Sequence, residues 1–185
     1  MTKQILIMAY EVIKLIFNHK MLAEITNQEI EKLVAEHIQE NQNLEFKLTL
    51  NYKYEPERFE TLCDIASLAN AGGGYLVVGI RDDGKSRALK LENVDNIESM
   101  MKSVRSLCLE HIEERIEGME FDIRIINGCN IAIIRVPVSS RIPHMVTFNN
   151  HTHFVTRYAD GKREMTLSEI RSSFTGCSWK KIIVY

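Results

Sequence analysis

From Asp64 to Gly84 the chain reads DIASLANAGGGYLVVGIRDDG, and the reading of this stretch decides the fold. Its first part continues a pattern that starts at Glu55, with Phe59, Leu62, Ile65, Ala66 and Ala69 at helical spacing and Pro56 suited to a first turn. Gly72, Gly73 and Gly74 stop that helix and lead into Tyr75 to Ile80, which is apolar on both faces, as a central strand must be. Arg81, Asp82, Asp83 and Gly84 then read as a turn. A phosphate-cradling loop needs strand, glycines and then helix. Here the order is helix, glycines, strand, and no Gly-Lys-Ser/Thr follows, so nucleotide binding ranks last.

Working outward, Leu44 to Leu50 alternates, with Leu44, Phe46, Leu48 and Leu50 on one side and Glu45, Lys47 and Thr49 on a polar face. Asn27 to Gln39 has a helical stripe of Ile30, Leu33, Val34 and Ile38, with Thr26 or Asn27 as cap. Gln4 to Asn18 carries a further amphipathic stripe of Ile5, Met8, Val12, Leu15 and Ile16. Beyond the turn, a helix is expected from about Asn96 to Arg115. A hairpin from Met119 to Val138 folds around Asn127-Gly128, a strong two-residue turn signal. A strand over His153 to Tyr158 and a short helix over Ser168 to Phe174 follow, and Trp179 to Tyr185 is an edge strand or a tail.

This order implies an α/β (α+β) fold with a mixed, mostly antiparallel sheet, because the hairpin excludes an all-parallel one. The expected divisions are a helical extension over 1–36, a main domain over 37–176 and a tail over 177–185.

The 185 residues, 45% hydrophobic and 26% charged, are enough for one core. A net charge of −2 does not advertise a nucleic-acid binder, so any such role needs a local basic patch. Cys63, Cys108, Cys129 and Cys177 include no Cys-x-x-Cys pair, which argues against structural zinc and for reduced thiols in a cytoplasmic protein. The N-terminal apolar run, broken by Glu11 and Lys14, is too short and too charged to span a bilayer, and no membrane association is expected.

Glu40, Leu44, Glu45, Phe46 and Lys47, followed by the glycine run and its acidic turn, resemble the Schlafen AlbA-like domain, a nucleic-acid-binding family. The resemblance covers about Glu40 to Phe174. It implies that Glu40, Glu45 and Asp82 are catalytic ligands of Mg²⁺ or Mn²⁺ in a divalent-metal-dependent endoribonuclease acting on structured RNA, with Lys47 contacting phosphate. RNA is expected ahead of DNA. On the residues alone, Glu40 also reads as a solvated helix end, Glu45 and Lys47 as a surface pair, and Asp82 and Asp83 as turn formers. A non-catalytic DNA-binding or regulatory module and a protein-interaction domain are the alternatives.

Arg81 and Lys85 after the central strand, and Arg141, Arg157, Lys162 and Arg163 near the other end, are the further cations expected at phosphates. Tyr52, Tyr54, Phe148 and Tyr158 are candidates to stack a base. His144, His151 and His153 read as ordinary polar residues rather than a metal site. Schlafen nuclease cores clamp RNA between two such lobes, whereas this chain has room for one. By that analogy a homodimer is expected, with the Ile5 to Phe17 helix as its contact.

Overall fold

The computed structural model describes residues 17, 19–158 and 161–175. The expected helix over Gln4 to Asn18, apart from Phe17, and the expected terminal strand over Trp179 to Tyr185 lie outside the described residues. A 3-10 turn at Leu22–Glu24 precedes α1 (Asn27–Ala35), β1 (Leu44–Lys47), α2 (Glu55–Asn70), β2 (Gly74–Val78), β3 (Ile80–Asp82), β4 (Ala88–Leu91) and α3 (Ile97–His111). Then come β5 (Ile112–Glu113), β6 (Glu120–Ile126), β7 (Cys129–Val136), β8 (Met145–Phe148), β9 (His151–His153), β10 (Val155–Tyr158), β11 (Gly161–Glu164) and α4 (Leu167–Phe174).

The main sheet has the order β1-β2-β7-β6, with β1 parallel to β2 and the other pairs antiparallel. Alternate residues of β2 explain its apolar sequence. Leu76 and Val78 pack with Leu62, Ile65 and Met101 under α2 and α3, while Tyr75 and Val77 pack with Phe17, Ile30 and Leu33 on the α1 side. The mostly antiparallel mixed fold is as expected.

Local signals hold where they are strong. Thr26 and Thr166 both form capping boxes, with Glu29 and Glu169, and Pro56 occupies the first turn of α2. The β6–β7 hairpin turns at Asn127 and Gly128, whose φ values of 50° and 77° are those of a type I′ turn.

The glycine run does more than stop α2. A Cβ at Gly73, where φ is +84°, would stand 2.8 Å from the Val136 carbonyl oxygen, and one at Gly74 would overlap the Asn43 backbone. Gly73 permits close approach of the chain leaving β7 at 136–138, and Gly74 permits that of Asn43. Asn43 Nδ2 donates to the Gly73 carbonyl at 2.6 Å, and the Tyr75 N–H donates to the Asn43 carbonyl at 2.8 Å.

Four expectations are corrected. The strand from Leu44 ends at Lys47, and Glu45 is buried rather than solvated on a polar face. The helix after Asn96 stops at His111, where β5 pairs with β8. Asp82 and Asp83 belong to a β3–β4 hairpin, not to a plain turn. The strand expected over His153 to Tyr158 begins at Val155, and His153 instead ends β9 on a different sheet.

Candidate functional site

β1 runs beside β2 in parallel register, Glu45 with Leu76 and Lys47 with Val78. Leu44 and Phe46 enter the core on the α1 side, so the period of two sends Glu45 and Lys47 to the opposite side, toward α2. There Glu60 and Asp64, one helical turn apart, share a face. The β10–β11 hairpin brings Arg157 and Lys162 over the same place.

The result is an alternating chain of charges. Arg157 Nη2 donates to Glu45 Oε2, and Arg157 Nε donates to the Asn41 carbonyl at 3.1 Å. Lys47 Nζ lies 2.8 Å from Glu45 Oε1 and 3.4 Å from Asp64 Oδ2. Lys162 Nζ lies 2.5 Å from Asp64 Oδ1 and 2.6 Å from Glu60 Oε1. Glu45 and Arg157 are each 5% exposed and Asp64 is 1% exposed. Burial pushes the Arg157 guanidinium below the usual arginine range, and the Glu40 charge opposes that shift. A charge this deep is tolerated only with a partner, and each of these has one.

The three carboxylates expected to share an ion each have other partners. Glu40 Oε1 accepts the Phe46 N–H at 2.7 Å, and the Glu40 N–H donates to the Ser86 carbonyl. Glu45 is committed to Arg157 and Lys47. Asp82 is exposed and caps its own turn, accepting the Gly84 N–H at 2.6 Å. Among the described residues, no group of three or more His, Cys, Asp or Glu side chains is placed to hold a metal ion. As placed, these three side chains form no shared oxygen site. The cation between Glu45 and Asp64 is the Lys47 ammonium.

The expected phosphate contacts are likewise mostly spent on carboxylates. Arg81 pairs with Glu92, Arg141 with Glu117 and Arg163 with Glu169, in addition to the pairs of Lys47, Arg157 and Lys162. Arg157 is too buried to reach a ligand. Lys85 is exposed on the β3–β4 hairpin, and its ammonium has no ion pair among the described residues. Of the aromatic candidates, Phe148 packs on Phe59, Tyr158 lies under Arg163, and Tyr54 is open to solvent.

Asp64 is the residue sequence reasoning missed. Its signal was present, because an acid inside a helical stretch of small and apolar residues must be buried and must find a cation. His144 is fully buried, its Nδ1 2.6 Å from the Glu114 carbonyl, and burial holds its pKa below the ordinary histidine value. His153 pairs with Glu164. Cys63, Cys108 and Cys129 are free, and burial pushes the Cys63 and Cys108 thiols up to about 12. A groove of about 1090 Å³ lined by Gln42, Asn70, Tyr158, Arg163 and Ser172 among others contains no residue of the cluster, and Arg163 there is neutralised by Glu169.

Two solved structures share the architecture. The DIP2311 protein from Corynebacterium diphtheriae aligns with TM-score 0.52 and 16% identity over 80% of this chain, and the match takes in 28% of that protein's length. The other is the N-terminal domain of a Nitrosomonas europaea protein named for its relation to the ATP-dependent DNA helicase RecG. It aligns with TM-score 0.52 and 14% identity, over 74% of this chain and 90% of that domain. No curated protein matches the chain. No helix among the described residues is long and apolar enough to cross a membrane. Residues 40–166 match the model of the Schlafen AlbA_2 family, and the chain belongs to that family.

Proposed function

We propose that this chain is a nucleic-acid-binding domain that contacts phosphate through Lys47 and Lys162 and does not rely on a bound metal. One observation carries the reading: two ammonium groups converge on the two oxygens of one buried carboxylate, Asp64, while their side chains remain 30% and 20% exposed. Asp64 offsets their mutual repulsion and fixes their positions. Lys carries three N–H donors, so Lys47, with two acceptors, keeps one for a ligand, while Lys162 can free its longest contact, 3.4 Å to the Glu60 carbonyl. Two pre-positioned lysines side by side suit the oxygens of a phosphodiester, whose contacts position a strand without reading its sequence. Family membership and the name of the RecG-related structural relative support the same class of ligand.

The six residues from Arg157 to Glu60 sum to no net charge, so binding is expected to be modest. The test is a titration of a labelled RNA hairpin and of single-stranded DNA at several salt concentrations. Lys47→Ala and Lys162→Ala should each weaken binding and lower the slope of log affinity against log salt by about one. Lys32→Ala, on the exposed side of α1, should change neither. No binding at low salt, or unchanged slopes, would sink the reading. Incubating the RNA with Mg²⁺ or Mn²⁺ tests the endoribonuclease alternative, which cleavage lost in Glu45→Ala would establish instead.

A further inference from the structure

The main sheet ends on β6, and no described strand pairs with its outer side. Ile126 and Cys129 flank the two-residue turn, so Ile126, Arg124, Asp122 and Glu120 exchange hydrogen bonds with β7. The N–H and C=O groups of Phe121, Ile123 and Ile125 consequently aim outward. Asp122 Oδ1 takes the Ile123 N–H at 2.9 Å, a local stand-in for a strand partner. Ile125 is 71% exposed and Ile123 37%. Two usual guards of an open edge are missing, because β6 has neither a proline nor a bulge in its register with β7.

We propose that a second copy of this chain adds its own β6 antiparallel across this edge, about a two-fold axis at Ile123. About that residue the sequence of β6 pairs with itself without setting like charges opposite each other. With the axis at Ile123, Phe121 faces the partner's Ile125 and Ile123 faces the partner's Ile123, which joins the exposed apolar side chains on one face. On the other face the 37% exposed Asp122 stands opposite the partner's Arg124, an opposite-charge pairing made twice beside the bonds Arg124 already donates to the Leu22 and Ile25 carbonyls.

Every neighbouring register that keeps the outward groups opposed is worse. An axis at Asp122 sets Asp122 against the partner's Asp122 and offers Arg124 only Glu120, which already takes the Leu22 N–H and Arg135; an axis at Arg124 sets arginine against arginine, and an axis at Phe121 sets Glu120 against the partner's Asp122. Like charges directly opposite destabilise a sheet. An axis at Ile125 runs the pairing into the Asn127-Gly128 turn. Asp122 and Arg124 already lie 2.7 Å apart within one chain, so the dimer would extend that ion pair to four members. This surface differs from the Ile5 to Phe17 helix expected from the sequence, and it makes one isologous contact.

Light scattering of the full chain at micromolar concentration should give a dimer. Ile125→Lys should raise the dissociation constant at least about tenfold while circular dichroism stays native. Cysteines at 123 would have Cα atoms about 5.5 Å apart across the axis, within disulfide range. With diamide as oxidant, Ile123→Cys should cross-link to a covalent dimer, and Leu89→Cys on the exposed β4 should not. A monomeric wild type, a folded Ile125→Lys that dimerises as well as wild type, or equal cross-linking from positions 123 and 89 would each overturn the proposal.

Discussion

Lys47, Asp64 and Lys162 lie among β1, α2 and β11, while Arg81, Asp82, Asp83 and Arg87 lie on the β3–β4 hairpin, and both regions pair acids with bases at hydrogen-bond distance. In the hairpin the partners are near in sequence and open to water. Asp83 accepts the Lys85 and Arg87 N–H groups and the Arg87 guanidinium, which outweigh desolvation and hold it below the usual carboxylate range. Hydrogen bonds from Arg81 and Lys90 likewise bring Glu92 to about 2. In the cluster Arg157 and Lys162 reach partners 112 and 98 residues away, and Glu45, Asp64 and Arg157 are buried. The same side chains are therefore replaceable in one place and obligatory in the other, because the cost of an unpaired charge depends on burial.

The largest effect should come from breaking the deepest pair. Arg157→Ala leaves Glu45 buried with Lys47 alone, and urea unfolding should show a loss of about 3–5 kcal/mol. A loss comparable to that of an exposed pair would erase the contrast between the regions. A smaller, graded effect is expected at His144, which is buried and uncharged. Its folded pKa is depressed below the ordinary value of 6.5, so below that pH the unfolded chain binds more protons. Its contribution to stability should be complete above pH 6.5 and fall away as pH drops through the depressed folded value. Melting temperature against pH should show this slope in wild type and less of it in His144→Asn. The smallest effect is expected at Asp82→Ala, which removes one exposed turn contact and should leave the urea midpoint within measurement scatter.

Legibility followed the range of the interaction. The capping boxes at Thr26 and Thr166, the Pro56 helix start and the Asn127-Gly128 turn were readable because each is settled by residues within one or two turns of chain. The strands β5, β8, β9 and β11 were not, because they are two to four residues long and exist only through partners distant in sequence. Glu45 shows the limit most clearly. Alternation put it correctly on the side opposite Phe46, yet the step from polar face to solvent failed, since α2 and the β10–β11 hairpin cover that face.

By itself, the sequence determined the order of the main helices and strands, the mixed and mostly antiparallel sheet, and the family, because these rest on local periodicity, turn chemistry and a contiguous motif. Only the tertiary structure decided which charges meet. It gave Glu40, Glu45 and Asp82 different partners, brought Asp64 between Lys47 and Lys162, and left β6 at the edge of the described sheet. Charge partnership and edge exposure are properties of distances between segments far apart in the chain, and no periodicity encodes those distances.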